Sequence, residues 1–480
     1  MENRPSAPLL RGRGRARGAV VVVFALLLVV LLGFVGMALD LGRLYNRKAE
    51  LQNVADAAAL AAARELNGSA SGISKALAQA MSTANTFHYQ YGMQNVSWSD
   101  AAISFSNQAA GPWSDAGSAA NDVLFAKVDT RALGDYGTVS TFFMQALSSA
   151  LATPKTYGLA VAGRSAMKVT PLAICAMSPL PAAARINTGP PVKSELVEYG
   201  FRRGVAYDLM NLNPNGSTAE NFVVDPLDAP GAAGPLSNTD WSVAAPFVCA
   251  GAMPMTHIKN VTLTVRRPFP LASLFNQLNS RFGAVAACNV SSAPPDANVK
   301  AYVFGSAIGW MAAAPGGQSA LSTAANPLRT IADLGPVPAP TGITPAQYGP
   351  LWAYASAVQY AATEPPAGYT AFTPADWSVL YAPNAPAANA YPATTPYGAA
   401  GAPNLQAPAA GLPKLAGRRV LNLPLLACPV AAGGGVNVTA TVLAIGKFLL
   451  TVPATATSVY AEFGGLATEQ ALAGPVELFQ

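Results

Sequence analysis

An unbroken apolar run near the start of the chain is its longest hydrophobic pattern. Ala19–Leu39 contains 21 residues without a charged or strongly polar side chain. As an α-helix, this run would span roughly 31 Å, which matches a bilayer hydrocarbon core of about 30 Å. Arginines precede the run, and basic residues favour the cytoplasmic side of a membrane. The pattern therefore predicts a single transmembrane helix, 19–39, after a cytoplasmic basic arm, 1–18.

A cleaved secretory signal is an alternative interpretation of the same run. The apolar core of such a signal has only about 7–15 residues and is followed by a small-x-small cleavage motif. Gly36-Met37-Ala38 has the form of that motif. Because the run is longer than a signal core, its length favours a permanent anchor over a secreted envelope protein.

The pattern after the run predicts that the helix continues as a stalk over 40–67. Asp40–Leu66 contains no proline and is rich in residues with high helix propensity. Asn67-Gly68 follows as a helix stop, so the stalk adds ~40 Å. Apolar side chains recur along one face of it. This interaction stripe consists of Leu44, Leu51, Val54, Ala58 and Ala61.

Two roles for the interaction stripe are open from the sequence. The small side chains of Ala57–Ala63 would let a neighbouring helix approach closely, which predicts self-association through the stalk. Alternatively, the stripe packs on the protein's own outer region. The spacing of the apolar residues is the same in both cases.

Residues 68–170 are predicted to form a small α+β module. The apolar spacing in Ser71–Tyr91 indicates an amphipathic helix. Alternating segments predict half-buried strands at Val96–Ser106 and Val123–Leu133. A further strand pair is predicted at Tyr157–Val169.

Residues 171–480 are predicted to form a β-rich domain with long loops. Proline, alanine and glycine crowd Ala313–Pro413, a composition that favours extended, solvated backbone or surface loops. The predicted fold class is therefore α+β, with a transmembrane helix, a stalk helix and a β-rich extracytoplasmic region. Strand patterns occur at Val261–Arg267, Val299–Gly305, Arg419–Cys428 and Ala444–Val452.

The net charge of +5 is concentrated at one end of the chain. Residues 1–17 contain five arginines and one glutamate, so they account for four of the five positive charges. A nucleic-acid-binding domain needs a basic face on its folded part, and the rest of the sequence offers too little positive charge for one. Nucleic acid is therefore not an expected partner, whereas a membrane is.

The four cysteines all follow the predicted transmembrane helix. An even number outside the cytoplasm indicates two disulfides, for which three pairings exist. Cys175 and Cys428 each end an apolar, strand-like run, which favours their pairing with each other. Cys249 would then pair with Cys288. Four buried free thiols are the alternative.

Catalytic and cofactor-binding signatures are missing from the sequence. Neither histidine, His88 or His257, lies in an HExxH motif, and the chain has no GxSxG motif or GxxxxGK[ST] phosphate loop. Asn211–Gly216 resembles a calcium loop, but its twelfth position is Phe222, where a bidentate glutamate is required. We therefore expect no enzymatic activity, no nucleotide, no metal and no other cofactor.

Several short motifs in order carry a resemblance to a known family. After Arg17-Gly18-Ala19 and the apolar run come DLGRLY, ELQ and ADAAALAAA. Over about 17–67 the chain resembles TadG-like proteins of the tight-adherence (Flp) pilus assembly system of bacteria. Three later stretches, Arg267–Gly283, Ala293–Tyr302 and Phe448–Leu466, are also similar to family members. The DxSxS metal motif of the von Willebrand A domain that some members carry is not found here.

The resemblance implies a role in pilus assembly or anchoring, and hence in surface adhesion. The implied location is the bacterial inner membrane, with the N-terminus cytoplasmic and the bulk of the chain periplasmic. The implied partners are other tight-adherence pilus proteins or pilin-like subunits. A processed pilin-like subunit is the alternative, but such subunits carry a glutamate five residues after the cleavage-site glycine. Counted from Gly18 that position is Val23, which favours a retained anchor.

Overall fold

The computed structural model describes most of the chain. Residues 1–16 of the predicted basic arm, the predicted stop Asn67-Gly68 and parts of the Pro/Ala/Gly-rich region lie outside the described residues. The described residues are 17–66, 70–119, 123–187, 190–228, 238–255, 257–313, 316–320, 328–330, 348–382, 385, 387, 391–392, 394–431 and 437–479.

Helices and strands alternate in blocks, which confirms the α+β fold class. The α-helices in the described ranges are α1 (Arg17–Glu65), α2 (Ala70–Ala84), α3 (Met144–Leu147), α4 (Trp241–Ala250), α5 (Leu271–Asn279), α6 (Gly309–Ala313), α7 (Trp377–Leu380) and α8 (Glu469–Leu472). The strands in those ranges are β1 (His88–Tyr89), β2 (Gln94–Asn95), β3 (Ile103–Ser106), β4 (Phe125–Asp129), β5 (Leu159–Arg164), β6 (Leu172–Cys175), β7 (Ala183–Asn187), β8 (Lys193–Glu198), β9 (Phe201–Arg202), β10 (Ala206–Asp208), β11 (Asn221–Val224), β12 (Thr262–Arg266), β13 (Val420–Leu426), β14 (Asn437–Leu450), β15 (Tyr460–Leu466) and β16 (Val476–Phe479).

Helix α1 is continuous through 49 residues and is about 70 Å long. The predicted transmembrane helix and the predicted stalk are therefore one element, with no break at Asp40. Large apolar side chains from Val20 to Val35 are between 44% and 69% exposed. From Leu51 onward one face of the same helix is buried. The apolar side chains of the first half of α1 are thus exposed, whereas one face of the second half is covered by other residues of the protein.

The chain divides into two compact units, of which unit 1 comprises 1–164 and 476–480. Its sheet has the order β16-β5-β4-β3, and all its pairings are antiparallel. The second half of α1 and helix α2 pack with this sheet around one apolar core. At Gly158 an added Cβ would lie 2.3 Å from the Leu51 carbonyl oxygen of α1, so glycine permits the close approach.

The boundary of this unit differs from the predicted module, 68–170. Unit 1 includes the stalk and the C-terminal strand β16, whose Leu478 pairs with Ala162 of β5. Tyr157–Val169, predicted as a strand pair, contains the single strand β5 and then leaves the sheet at Arg164. Strand β16 pairs with the edge of β5 although the two are far apart in sequence. Local periodicity carries no information about such a distant partner.

Unit 2 comprises 165–475 and is built on a seven-stranded sheet. Its pairings close into a ring of five strands, β14-β12-β11-β6-β13, and β13 pairs again with β14. The long strand β14 makes this possible, because Val438 pairs with Val265 of β12 while Gly446 pairs with Leu423 of β13. Strands β15 and β10 extend the sheet, and β7-β8-β9 form a separate three-stranded sheet.

Two expectations for unit 2 were wrong in part. Val299–Gly305, predicted as a strand, is irregular backbone in which Tyr302 is buried against Trp310. Within the predicted solvated region Ala313–Pro413, Trp352 and Trp377 are buried and their ring centroids lie 4.9 Å apart. Aromatic side chains among the prolines bury enough apolar surface to order the described part of that region.

Candidate functional site

A buried carboxylate marks the point on α1 where the apolar run ends. Asp40 is only 1% exposed, and its side chain accepts backbone N–H bonds from three consecutive residues. The donor–acceptor distances are 3.0 Å for Phe142, 2.7 Å for Phe143 and 2.7 Å for Met144. These N–H groups lie at the start of α3, where a helix has no carbonyl partners of its own. Asp40 therefore attaches the start of α3 to the side of α1.

The charge of Asp40 is stabilised by the groups around it. Burial by itself would raise the pKa of this carboxyl, but the three backbone N–H groups and the Arg43 guanidinium outweigh that effect. The net result is a pKa below the ordinary aspartate value. Asp40 is thus ionised at neutral pH and acts purely as an acceptor.

Phe143 also packs on α1 one turn before Asp40. A Cβ added at Gly36 would lie 2.2 Å from Cγ of the Phe143 ring and 2.7 Å from its Cβ. The ring therefore occupies the space in which any larger residue would place its side chain. The same glycine belongs to the Gly36-Met37-Ala38 motif considered as a signal cleavage site, and the structure gives it a packing role within α1.

A second carboxylate attaches the β1–β2 hairpin to α1. The Glu50 side chain accepts N–H bonds of 2.9 Å from both Gln90 and Tyr91. Both donors have φ of 58°, a left-handed conformation that costs energy for residues other than glycine. Glu50 also lies 3.4 Å from the Arg47 guanidinium, which donates to the Tyr136 carbonyl. The two hydrogen bonds from Gln90 and Tyr91 hold the hairpin turn on the stalk, and the ion pair joins Glu50 to its neighbour Arg47 within α1.

The stalk is also hydrogen-bonded to the central sheet of unit 1. The Gln52 side-chain amide donates to the Leu159 carbonyl at 2.8 Å and accepts from the Leu159 N–H at 3.2 Å. In this way it takes the place of a neighbouring strand at the start of β5. Two different parts of α1, at Asp40 and over 50–52, are therefore hydrogen-bonded to the rest of unit 1.

The predicted interaction stripe lies largely inside unit 1. Leu51, Val54 and Ala58 have no exposed surface, while Leu44 and Ala61 are half-buried. Of these residues, Val54 and Ala58 belong to the apolar core shared with α2 and the sheet. Of the two roles left open by the sequence, packing on the protein's own outer region is the one the structure shows.

All four cysteines are in disulfides within unit 2. Cys175 is bonded to Cys428, with a Cα–Cα distance of 5.6 Å, and Cys249 to Cys288, at 5.7 Å. The first pair is adjacent because β6 and β13 are parallel neighbours, with Leu426 opposite Cys175. Glu220 lies close to the first pair, but bonded sulfurs are not thiolate ligands, so this group is no metal site.

Sequence reasoning missed the residues that attach unit 1 to α1. Asp40, Glu50 and Gly36 were read as parts of a helix pattern, because the groups that they contact are distant in sequence. One signal was present for Asp40, since it is the first charged residue after the apolar run. Its partners, about 100 residues later, carry no comparable signal.

The described fold is that of a protein with one candidate membrane-spanning helix followed by folded units. One N-terminal helix, with a mean hydropathy of 3.2 over its most apolar 18 residues, is long and apolar enough to cross a membrane. Its second half is built into an α+β unit, and a β-rich unit follows.

Part of the chain matches a known protein family. The family described as "Putative Flp pilus-assembly TadE/G-like" matches residues 18–65. This match confirms the resemblance found in the motifs, because residues 18–65 are similar to the Tad domain of this pilus-assembly family. The domain supports involvement in Flp pilus assembly and association with components of that system. No curated protein and no solved structure matches the chain.

Proposed function

We propose that this protein is a non-catalytic, inner-membrane-anchored component of the tight-adherence pilus assembly system. The first half of α1 spans the membrane with the arginine arm in the cytoplasm, as the positive-inside bias favours. Both units lie in the periplasm. Two disulfides in unit 2 support this location, because disulfides persist in oxidising compartments.

The observation that carries the proposal is the continuity of α1. One helix contains an exposed apolar half and a half that is buried in the core of unit 1. A rigid helix of this kind fixes a folded unit at a set distance from the bilayer without a flexible linker. The role is then to hold a docking platform for pilus proteins or pilin-like subunits at the membrane, and no chemical step is involved.

The same packing limits how partners bind. Because Leu51, Val54 and Ala58 are enclosed in unit 1, a partner helix would have to use the other faces of the stalk. Exposed side chains of the stalk include Lys48, Asn53 and Arg64. Self-association through the stalk would therefore use these exposed faces rather than the interaction stripe.

The test is complementation of a strain that lacks the protein. We expect the deletion to reduce pili and surface adhesion, and the full chain to restore both. A matched variant replaces residues 1–39 by a cleavable signal, so that both units are exported without an anchor. Restoration by the full chain but not by the exported variant supports an anchored component. Unchanged piliation in the deletion strain, or full restoration by the exported variant, contradicts the proposal.

A further inference from the structure

A short segment attached to α1 exposes several large apolar side chains. Within Phe142–Leu151, Phe142 is 63% exposed, Phe143 45% and Leu147 67%. The segment contains the single-turn helix α3. Thr141 precedes it, and the Thr141 hydroxyl donates a hydrogen bond to the Leu151 carbonyl, which brings the two ends of the segment together. Exposing side chains of this size to water is unfavourable, at about 25 cal/mol per Å² of apolar surface.

The position of this segment along α1 is fixed by two contacts. Asp40, the residue after the apolar run, binds the N–H groups of Phe142, Phe143 and Met144. Phe143 then lies against Gly36, which is four residues, or about 6 Å, closer to the middle of the apolar run. The segment is therefore held at the level of the last apolar turn of α1.

Exposed side chains beyond this level, toward the stalk, have the composition of a membrane interface. Tyr45 is 72% exposed and Tyr91 is 64% exposed, and tyrosine is enriched where a bilayer meets water. The Arg43 guanidinium carbon lies 4.9 Å from the centroid of the Phe142 ring. An open groove of about 560 Å³ runs between α1 and the segment, lined by Leu39, Arg43 and both phenylalanines among others.

We propose that Phe142–Leu151 is an interfacial segment that lies in the headgroup–acyl boundary of the leaflet from which α1 leaves the membrane. The bilayer covers the exposed apolar side chains of this segment, because their surface is continuous with the exposed apolar surface of α1. The inference rests on the proposed membrane span. It adds a second point of membrane contact, so that unit 1 is held against the leaflet by the segment as well as by the helix.

The experiment measures the depth of single spin labels in the full chain. The protein is reconstituted in phospholipid nanodiscs, and collision with oxygen is compared with collision with a water-soluble nickel complex. Because the four native cysteines are in disulfides, one introduced cysteine gives one label. Leu147→Cys reports on the interfacial segment. Leu180→Cys, at a 55% exposed leucine in unit 2, is the matched control, and Val29→Cys reports on the middle of the apolar run.

We expect the label at 147 to lie about 5–10 Å below the phosphates, the depth of amphipathic interfacial segments. The label at 180 should collide mainly with the nickel complex, and the label at 29 mainly with oxygen. If the label at 147 is as accessible to the nickel complex as the label at 180, while the label at 29 lies in the bilayer, the interfacial segment is ruled out and the membrane span is not. A label at 29 that is accessible to nickel overturns the membrane span and, with it, the interfacial segment.

Discussion

Gly36 is the residue on which the contact between α1 and Phe143 depends. Only a residue without a Cβ leaves room for the ring, because an added Cβ would be 2.2 Å from it. The sequence singled out Gly36 only as part of the Gly36-Met37-Ala38 motif and offered no packing reason to distinguish it from Gly33, which lies in the same apolar run. The difference between them is set entirely by a residue more than 100 positions later.

We expect Gly36→Ala to loosen the start of α3, because relieving the clash requires Phe143 to move. Overpacking of this kind typically costs about 1–3 kcal/mol. Amide hydrogen exchange at residues 142–144 of the full chain in nanodiscs should become faster. Gly33→Ala is the matched control, since nothing lies within 4 Å of a Cβ at that position. Equal exchange rates in the two variants would contradict the packing described for Phe143.

The charge of Asp40 makes the same attachment dependent on pH. Its pKa is lowered in the folded protein, so the contribution of its charge to stability is fully present above the unfolded pKa, about 3.9. That contribution is lost as the pH falls through the lowered folded value. A spin label at residue 147 should therefore become more mobile below about pH 4.

The matched variant for this pH effect is Asp40→Asn, which keeps one acceptor oxygen but removes the charge. Label mobility at residue 147 should already be raised at neutral pH in this variant and should change little on acidification. Asp135→Asn, at an exposed ion pair with Lys155, should behave like the unmodified chain. The same acid transition in Asp40→Asn and in the unmodified chain would show that another group is responsible.

Helix α1 is the element that the sequence predicted best, and it owes this to its length and composition. The apolar run and the helix-forming stalk both carry strong local signals. Strand β16 is the opposite case, because its four residues pair with β5, which lies more than 300 residues earlier in the chain. The buried face of the stalk contains three of the five stripe residues, Leu51, Val54 and Ala58, and also alanines outside the stripe. What covers this face depends on elements that the local pattern did not place.

The buried face of the stalk can be tested by enlarging one alanine. Ala58→Leu adds three carbons in the core of unit 1, and we expect it to destabilise that unit by about 1–3 kcal/mol. Ala49→Leu places the same side chain on an exposed position of the same helix and should have little effect. Thermal unfolding of the two variants in detergent gives the comparison. A similar loss of stability in both would argue against the observed orientation of the stalk.

At the scale of the molecule, the two units differ in how they are stabilised. Unit 1 is organised around α1, whereas unit 2 has a closed ring of strands and both disulfides. The sequence anticipated a β-rich C-terminal region but placed its start at 171 and did not indicate the ring. The ring closes because the first part of β14 pairs with β12 and the remainder of β14 pairs with β13. The alternation of apolar and polar residues in a strand does not reveal which strands it pairs with.

Removing the Cys175–Cys428 disulfide should destabilise unit 2 by about 2–5 kcal/mol, because it closes a loop of 253 residues in the unfolded chain. The double replacement Cys175→Ser with Cys428→Ser leaves Cys249–Cys288 intact. Calorimetry should show a lower transition temperature for unit 2 and an unchanged one for unit 1. A shift of both transitions would indicate that the units unfold together.

The proposed function requires that α1 stays intact as an anchor that continues into unit 1. The most direct measurement is the mature N-terminus of the membrane-extracted protein, by intact mass and N-terminal sequencing. We expect the arginine arm to be still present. A start at Ala19 would instead indicate processing of a pilin-like subunit, and a start at Leu39 a cleaved signal. Either of these results would contradict the proposed function, because the first half of α1 could then no longer serve as a retained anchor with a cytoplasmic arm.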